Sequence, residues 1–480
     1  MSKTPVQASR FCRVLFVIIS FTLCHPLHAT PDSRPGDTLR WIRIGTIGIT
    51  GNRQTKPWII TREVPFREGD SVAESSLSLL MKKARENIFN TRLFNFVTVD
   101  TVEVPSDPAV KDVRIHVIER WYIWPWPYFE ISDRNFNAWL QTMDFSRLTY
   151  GLDVTFYNMR GRNETLVIPI HFGFNQKIGF NYKMPAVNRR QTLGLSFGAY
   201  FERNHEIIVA SQDNKTVYYK DPDHFPKQDI NGFTELSFRP GIYSRHTFRL
   251  SYQYCYFSDS VTKIPGYLPD SLSQTGFFSF YYQYKYDRRD VHYYPLKGFY
   301  LDGELYKDGF FGEPMNDLYI KASYRHYWQL CHRWYFATGV FGKLTLSKDQ
   351  PYFLQKGLGY GKDYVRGYEY YVVDGQHFIL VKNNLKFAIL PERVFAIGFI
   401  RNTRFNTVPY ALYANLFTDM GYVYNENKEA NLNNNLQNSF LIGYGLGLDF
   451  TTYYDIVIRL EFSLNARAEP GLYLHFVAPI

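Results

Sequence analysis

The sequence predicts a membrane β-barrel of about 16 antiparallel strands, preceded by one small α/β domain. Three observations carry this. First, side-chain character alternates with a period of two beyond residue 145. Phe248, Leu250, Tyr252, Tyr254 and Tyr256 alternate with Thr247, Arg249, Ser251, Gln253 and Cys255, and the runs 277–286 and 456–464 behave alike. A strand that crosses a bilayer needs about 9–11 residues of this pattern. Second, aromatics make up 18% of the 480 residues, with 39 Tyr and 40 Phe, yet mean hydropathy is −0.30. A soluble core would draw its bulk from Val, Leu and Ile, whereas aromatic girdles around a polar lumen produce this mixture. Third, no segment after the N-terminus is apolar for long enough to cross as a helix, so a spanning chain must close as a barrel. A soluble sandwich or propeller would also alternate, but in strands nearer about 5–6 residues.

Residues 1–29 read as a signal peptide. Lys3, Arg10 and Arg13 precede the mostly apolar run Val14–Leu23, and Ala29 offers a small residue for cleavage. The run is shorter than the roughly 20 residues of a spanning helix. An uncleaved anchor is the alternative; Cys24 suggests a lipoprotein signal, but bulky Leu23 before it opposes one. Removing the three basic residues lowers the formal charge from +9 to +6, a mild excess that does not argue for nucleic acid. Cys255 and Cys331 remain, without metal-ligand spacing, as a disulfide or as free thiols.

Residues 40–120 read as β-α-α-β-β. Trp41–Ile49 is β-rich and ends at the turn signal Thr50-Gly51-Asn52. Pro57–Val64 suits a short helix with proline early. Over Ser71–Ile88, Leu77, Leu80, Met81, Ala84 and Ile88 form one helical face. Phe94–Val104 and Val113–Arg120 read as strands. Residues 121–144 read as an aromatic linker and periplasmic entry, because Trp121–Phe129 carries two prolines; it lies at a membrane interface or packs as a domain junction. The barrel is then expected over 145–480. Its first strand is expected at about 146–157 and its last at about 471–478, with 205–211 and 393–405 ambiguous.

Two motifs mark a candidate site. Val365, Arg366, Gly367 and Tyr368 lie inside a non-strand segment, 347–375. Phe417, Asp419 and Gly421 lie near the end of a predicted strand, 409–419, with another strand, 377–388, between the two motifs. An arginine on an inward loop cannot stay unpaired in a partly desolvated lumen, and Asp419 is its natural partner. Gly367 permits a tight turn and Gly421 close approach. Gly443, Gly445 and Gly447 would leave room on one strand face for a packed loop. The pair fixes barrel shape, or locks the loop for function, or both. No nucleophile–base set, phosphate loop or metal cluster is apparent, so no enzyme activity, cofactor or metal is expected. His377 and the other histidines read as lumen or interface side chains.

Together these motifs resemble the barrel signatures of the superfamily containing BamA, TamA and the two-partner secretion transporters. Asp287-Arg288-Arg289-Asp290 followed by Pro295 and Gly298 is similar to its strand-turn-strand signature. The resemblance implies a periplasmic POTRA domain at 40–120. It also implies 16 strands, eleven before Ser347 and five after Gly375, and a loop folded into the lumen with Arg366 paired to Asp419 near Phe417. It further implies an outer-membrane protein assembly, insertion or translocation factor. Clients would be received at the POTRA domain and passed through the seam between first and last strands; the alternative is a secretion pore or channel of the same fold. Implied partners are unfolded outer-membrane or secreted proteins, the lipid bilayer, and periplasmic chaperones or accessory lipoproteins. The secretion subtype is disfavoured because Thr30–Leu39 leaves no room for a plug helix, and a passive structural barrel is disfavoured because it needs no locked loop.

Overall fold

Within the barrel, strand pairing in the computed structural model follows sequence order with one excursion. The structure describes residues 40–131, 143, 145–221, 224–268, 272–310, 312–313, 315–347, 350, 352, 354–402, 404–426 and 432–476. The expected signal peptide 1–29 and residues 477–480 lie outside them.

The α/β domain runs β1 (Trp41–Thr50), α1 (Pro57–Thr61), β2 (Ser71–Ala73), α2 (Glu74–Phe89), β3 (Phe94–Glu103) and β4 (Val110–Glu119). Its sheet order is β2-β1-β4-β3, with β1 parallel to β4. The apolar face of α2, with Leu77, Met81, Ala84 and Ile88, is buried against Ile42, Ile44 and Ile115. The helix expected from Ser71 starts three residues later, because Ser71–Ala73 instead pairs with Trp41–Arg43.

The barrel is a 16-stranded sheet. It begins with β5 (Ile123–Ile131), β6 (Leu148–Met159), β7 (Glu164–Gly173), β8 (Asn175–Met184) and β9 (Leu193–Asn204). A separate hairpin follows, β10 (Glu206–Gln212) and β11 (Lys215–Lys220), and accounts for the ambiguous segment 205–211. The sheet resumes with β12 (Lys227–Phe238), paired to β9, and β13 (Ser244–Phe257). After a short helix α3 (Asp259–Thr262) come β14 (Gln274–Asp287), β15 (Gly298–Asp308), β16 (Asp317–Gln329) and β17 (Trp334–Thr345). β18 (His377–Ala396), β19 (Thr407–Tyr424), β20 (Phe440–Thr452), β21 (Ile456–Asn465) and β22 (Pro470–His475) complete it. Eleven strands precede the long loop and five follow, as expected. On β20, Phe440, Ile442, Tyr444, Leu446, Leu448 and Phe450 are exposed on the outer face, while Leu441, Gly443, Gly447 and Asp449 are buried on the inner one.

Several expected boundaries are corrected. The linker expected over 121–144 is, from Ile123 to Ile131, the first barrel strand, and the segment expected to be first is the second. Pro125 and Pro127 suggested a linker, but an edge strand tolerates proline on its unpaired side. Residues 132–142 of that span lie outside the described residues. The last strand is described over Pro470–His475, and residues 477 and 478 of the expected 471–478 lie outside the described residues; the strand expected over 409–419 runs from Thr407 to Tyr424. The ambiguous segment 393–405 is the end of β18 followed by a turn. Cys255 is buried and Cys331 exposed, and both are free thiols.

Among the described residues, no backbone pairing joins β5 to β22; β5 pairs with β6 and β22 with β21. The α/β domain sits on one end of the barrel through five turns. Lys56 N–H donates to Gly161 O (2.9 Å), and Arg239 forks onto Glu63 (2.6 and 2.7 Å). Asn90 donates to Asp290 O (2.9 Å), Asn95 to Arg404 O (3.0 Å), and Arg120 forks onto Asp455 (3.0 Å twice). Tyr122, at the junction, donates to Leu93 O (3.0 Å), and burial pushes its phenol well above the ordinary value.

Arg120→Ala leaves Asp455 without its fork and is expected to weaken the seating by about 1.5–3 kcal/mol. Hydrogen exchange should then rise at Tyr453–Asp455 and at Thr55–Lys56 while β20 stays protected. Unchanged exchange at both segments would show that this pair does not hold the domain.

Candidate functional site

A buried charge needs a partner for each of its donors, and Arg366 has one for all five. The guanidinium is fully buried (0% exposed), as is Asp419. Arg366 Nε donates to Asp419 Oδ2 (2.8 Å) and Nη2 to Oδ1 (2.5 Å), a bidentate fork, and the Arg366 backbone N–H reaches Oδ2 (3.1 Å). Nη1 donates to Asn384 Oδ1 (2.8 Å) and Glu461 Oε1 (3.2 Å), and Nη2 also to Asn383 O (3.4 Å). Its carbon lies 3.9 Å from the centre of the Phe417 ring, a cation–π contact.

The strand period places these partners. Asp419 and Phe417 are both on the inner face of β19, Asn384 on that of β18 and Glu461 on that of β21. The rest of the loop motif is held as well. Val365 packs with Leu358, Tyr368, Val423 and Leu441. Gly367 has φ +91°, a backbone conformation that side chains rarely adopt, and its carbonyl accepts from Asn465 Nδ2 (3.1 Å). Ala466 N–H donates to the Tyr368 hydroxyl (3.3 Å). A Cβ at Gly443 would overlap the Arg366 carbonyl oxygen, and one at Gly421 would crowd Val365. Thus the structure brings together every residue of the two predicted motifs. Asp419 lies in the body of a long strand rather than near its end.

Other charged residues extend the cluster. Arg459 forks onto Asp449 and reaches Glu461 Oε1 (3.4 Å), and Tyr294 donates to Asp449 Oδ2 (2.7 Å). Lys386 stacks over Tyr294 (4.2 Å) and Lys382 over Tyr364 (4.2 Å). Tyr294 belongs to the 288–297 turn, whose entry is shaped by Arg289 forking back onto Asp287 (2.9 and 2.8 Å). The alternation Arg459, Glu461, Ser463 already marked a polar inner face in the sequence. Glu369 and His475 had no such signal, yet Glu369, Glu461 and His475 offer ligand atoms within 4.8 Å of one another.

At its other end the loop meets the β10–β11 hairpin. Val372 N–H donates to Asn214 O (2.8 Å), and Asp374 accepts from Ser211 and Tyr360.

A family model described as the Omp85 superfamily domain matches residues 158–463. No curated protein sequence matches the chain. Among solved structures, BamA from Haemophilus ducreyi lacking POTRA domains 1–3 is similar at 16% identity and TM-score 0.50, covering 90% of this chain and 83% of that one. CdiB from Escherichia coli is similar at 10% identity and TM-score 0.49, covering 100% and 98%. CdiB from Acinetobacter baumannii is similar at 14% identity and TM-score 0.45, covering 91% and 74%.

Arg366→Ala strands Asp419 and should cost about 3–5 kcal/mol, the range for breaking one side of a buried pair. The expected readout is a reduced fraction of heat-modifiable, folded barrel. Arg366→Lys should fail to restore it, because an ammonium cannot reproduce the fork. A wild-type folded fraction in both variants would refute the lock.

Proposed function

The chain belongs to the Omp85 superfamily, and from that premise we propose that it is an assembly or insertion factor for outer-membrane proteins. Family membership supports the coarser statement, an outer-membrane barrel that serves protein insertion or translocation. The finer reading is that client β-strands are received at the periplasmic POTRA domain and passed through the seam between β5 and β22.

The observation that carries this reading is the edge chemistry of the seam. A strand edge with free N–H and C=O groups is a template for strand addition. Tyr122 O accepts from Tyr157 N–H, so even-numbered residues of the first strand direct their backbone groups toward β6. Odd-numbered residues therefore direct theirs toward the seam. Pro125 and Pro127 are both odd, and neither has an N–H. The seam edge of β5 thus lacks two donors, and across the seam β22 runs over Pro470–His475 among the described residues. An edge from which two donors are missing suits exchange for an incoming strand. The outer edge of β3 in the α/β sheet pairs with no strand among the described residues and suits a first docking of clients, chaperones or accessory lipoproteins. The step makes and breaks only hydrogen bonds, so it needs no cofactor.

A secretion pore of the same fold is the alternative. It would require the 347–375 loop to leave the lumen, which the buried Arg366 network opposes.

Depletion of the protein followed by an inventory of outer-membrane proteins should show loss of a subset of barrels; an unchanged inventory would overturn the assembly role. With Cys255 and Cys331 replaced by serine, a disulfide engineered between β5 and β22 should abolish insertion until it is reduced. Full insertion by the cross-linked form would rule out the seam route.

A further inference from the structure

We propose that Glu369, Glu461 and His475 form a binding site for a divalent transition-metal ion of the zinc type, which ties the inward loop to the last strand. The three residues come from different elements: Glu369 from the loop, Glu461 from the inner face of β21, and His475 from the end of β22.

The geometry favours a metal over direct hydrogen bonding. His475 Nε2 lies 3.4 Å from Glu461 Oε2 and 3.7 Å from Glu369 Oε1. Both separations exceed the usual 2.7–3.2 Å of an N–H···O bond, roughly the range a protonated imidazole between two carboxylates would adopt. They approach the edge of a tetrahedron with bonds of about 2.0–2.1 Å, which is roughly 3.3 Å. Glu461 Oε2 and His475 Nε2 are sealed from solvent without a hydrogen-bond partner, and both point into the cluster.

Each ligand is also oriented from behind. Glu461 is fully buried, and its other oxygen is held by Arg366 (3.2 Å) and Arg459 (3.4 Å). The second oxygen of Glu369 accepts from Gly367 N–H (2.7 Å). His475 Nδ1 faces the Tyr364 hydroxyl at 3.5 Å, and in the tautomer that carries its proton on Nδ1, Nε2 keeps its lone pair for an ion.

Arg366 and Arg459 are matched by Asp419 and Asp449, and Lys382 and Lys386 remain as buried cations, so an entering dication competes with two ammonium groups for the two glutamates. One imidazole with two carboxylates suits zinc-type ions better than calcium or magnesium, which prefer all-oxygen shells. Entry is through an internal cavity of about 990 Å³, which His475 and Tyr364 line together with Arg120 and Trp121 at the α/β domain. An ion bound here would join the loop to the strand at the seam, so occupancy would favour the closed seam. The site itself does not depend on the seam's role.

The test uses the full-length folded protein in detergent, titrated with Zn²⁺ and with Co²⁺. Wild type should take up about one ion per chain, and Co²⁺ should show the intense visible bands of a four-coordinate N/O site. Folded His475→Ala and Glu369→Gln should bind at least about tenfold more weakly, while His377→Ala should bind as wild type does. Absence of saturable uptake by folded wild type overturns the proposal whatever the variants do, as does undiminished binding in both ligand variants.

Discussion

A guanidinium that cannot lose its proton has been placed where water cannot reach it. Much of the architecture around β18–β21 follows from that. Arg366 needs acceptors on several sides, and the strands supply them: Asn384 from β18, Asp419 from β19 and Glu461 from β21. Between the last two, β20 supplies space instead, through Gly443. A slip of one residue in any of these strands would turn its contribution out toward lipid. One side chain therefore constrains the register of four neighbours, and burying it without them would cost several kcal/mol.

The same network connects the two ends of the barrel. Arg366 and Arg459 share Glu461, Arg459 holds Asp449, and Asp449 accepts from Tyr294. Tyr294 sits in the turn that binds Asn90 of the α/β domain through Asp290 and His292. In the other direction Val372 carries the loop to the β10–β11 hairpin. The loop is thus fixed at its arginine, at its far end by the hairpin, and through shared ion pairs to the seat of the α/β domain. The fold holds these parts as one packed body rather than a channel with a loose insertion.

How much of this was legible in the sequence depends on whether local pattern carried it. The period of two exposed the barrel, and the loop and strand motifs exposed Arg366 and Asp419. The first strand was hidden because Trp-Pro-Trp-Pro breaks the usual strand composition. Proline argues against a strand only where both edges are paired, and edge position is a tertiary fact. The hairpin at 206–220 carries the continuous apolar run Ile207–Ala210 rather than a clean alternation, which is why 205–211 reads as ambiguous. Glu369 and His475 lie 106 residues apart and carry no spacing rule; only the return of β22 beside the loop unites them. The lengths of β18 and β19 were under-read: β18 continues past the expected 388 to Ala396, and β19 runs past the motif that marked it to Tyr424.

Rigidity and weakness are therefore adjacent. β18 and β19 are the longest strands, at 20 and 18 residues, and with β20 and β21 they hold the buried lock. One strand further on, β22 pairs with β21 at six positions among the described residues, and across the seam β5 offers an edge missing two donors. A net contribution of about 1 kcal/mol per hydrogen bond makes that edge cheap to open beside a lock costing several times more. The proposed exchange at the seam would leave Arg366 seated, because no ligand of the guanidinium among the described residues comes from β22 or β5. His475 is the exception in kind: it belongs to β22 yet faces Glu461 and the loop. With Tyr473, which packs against Tyr370 of the loop, it brings the edge strand into contact with the loop that holds Arg366.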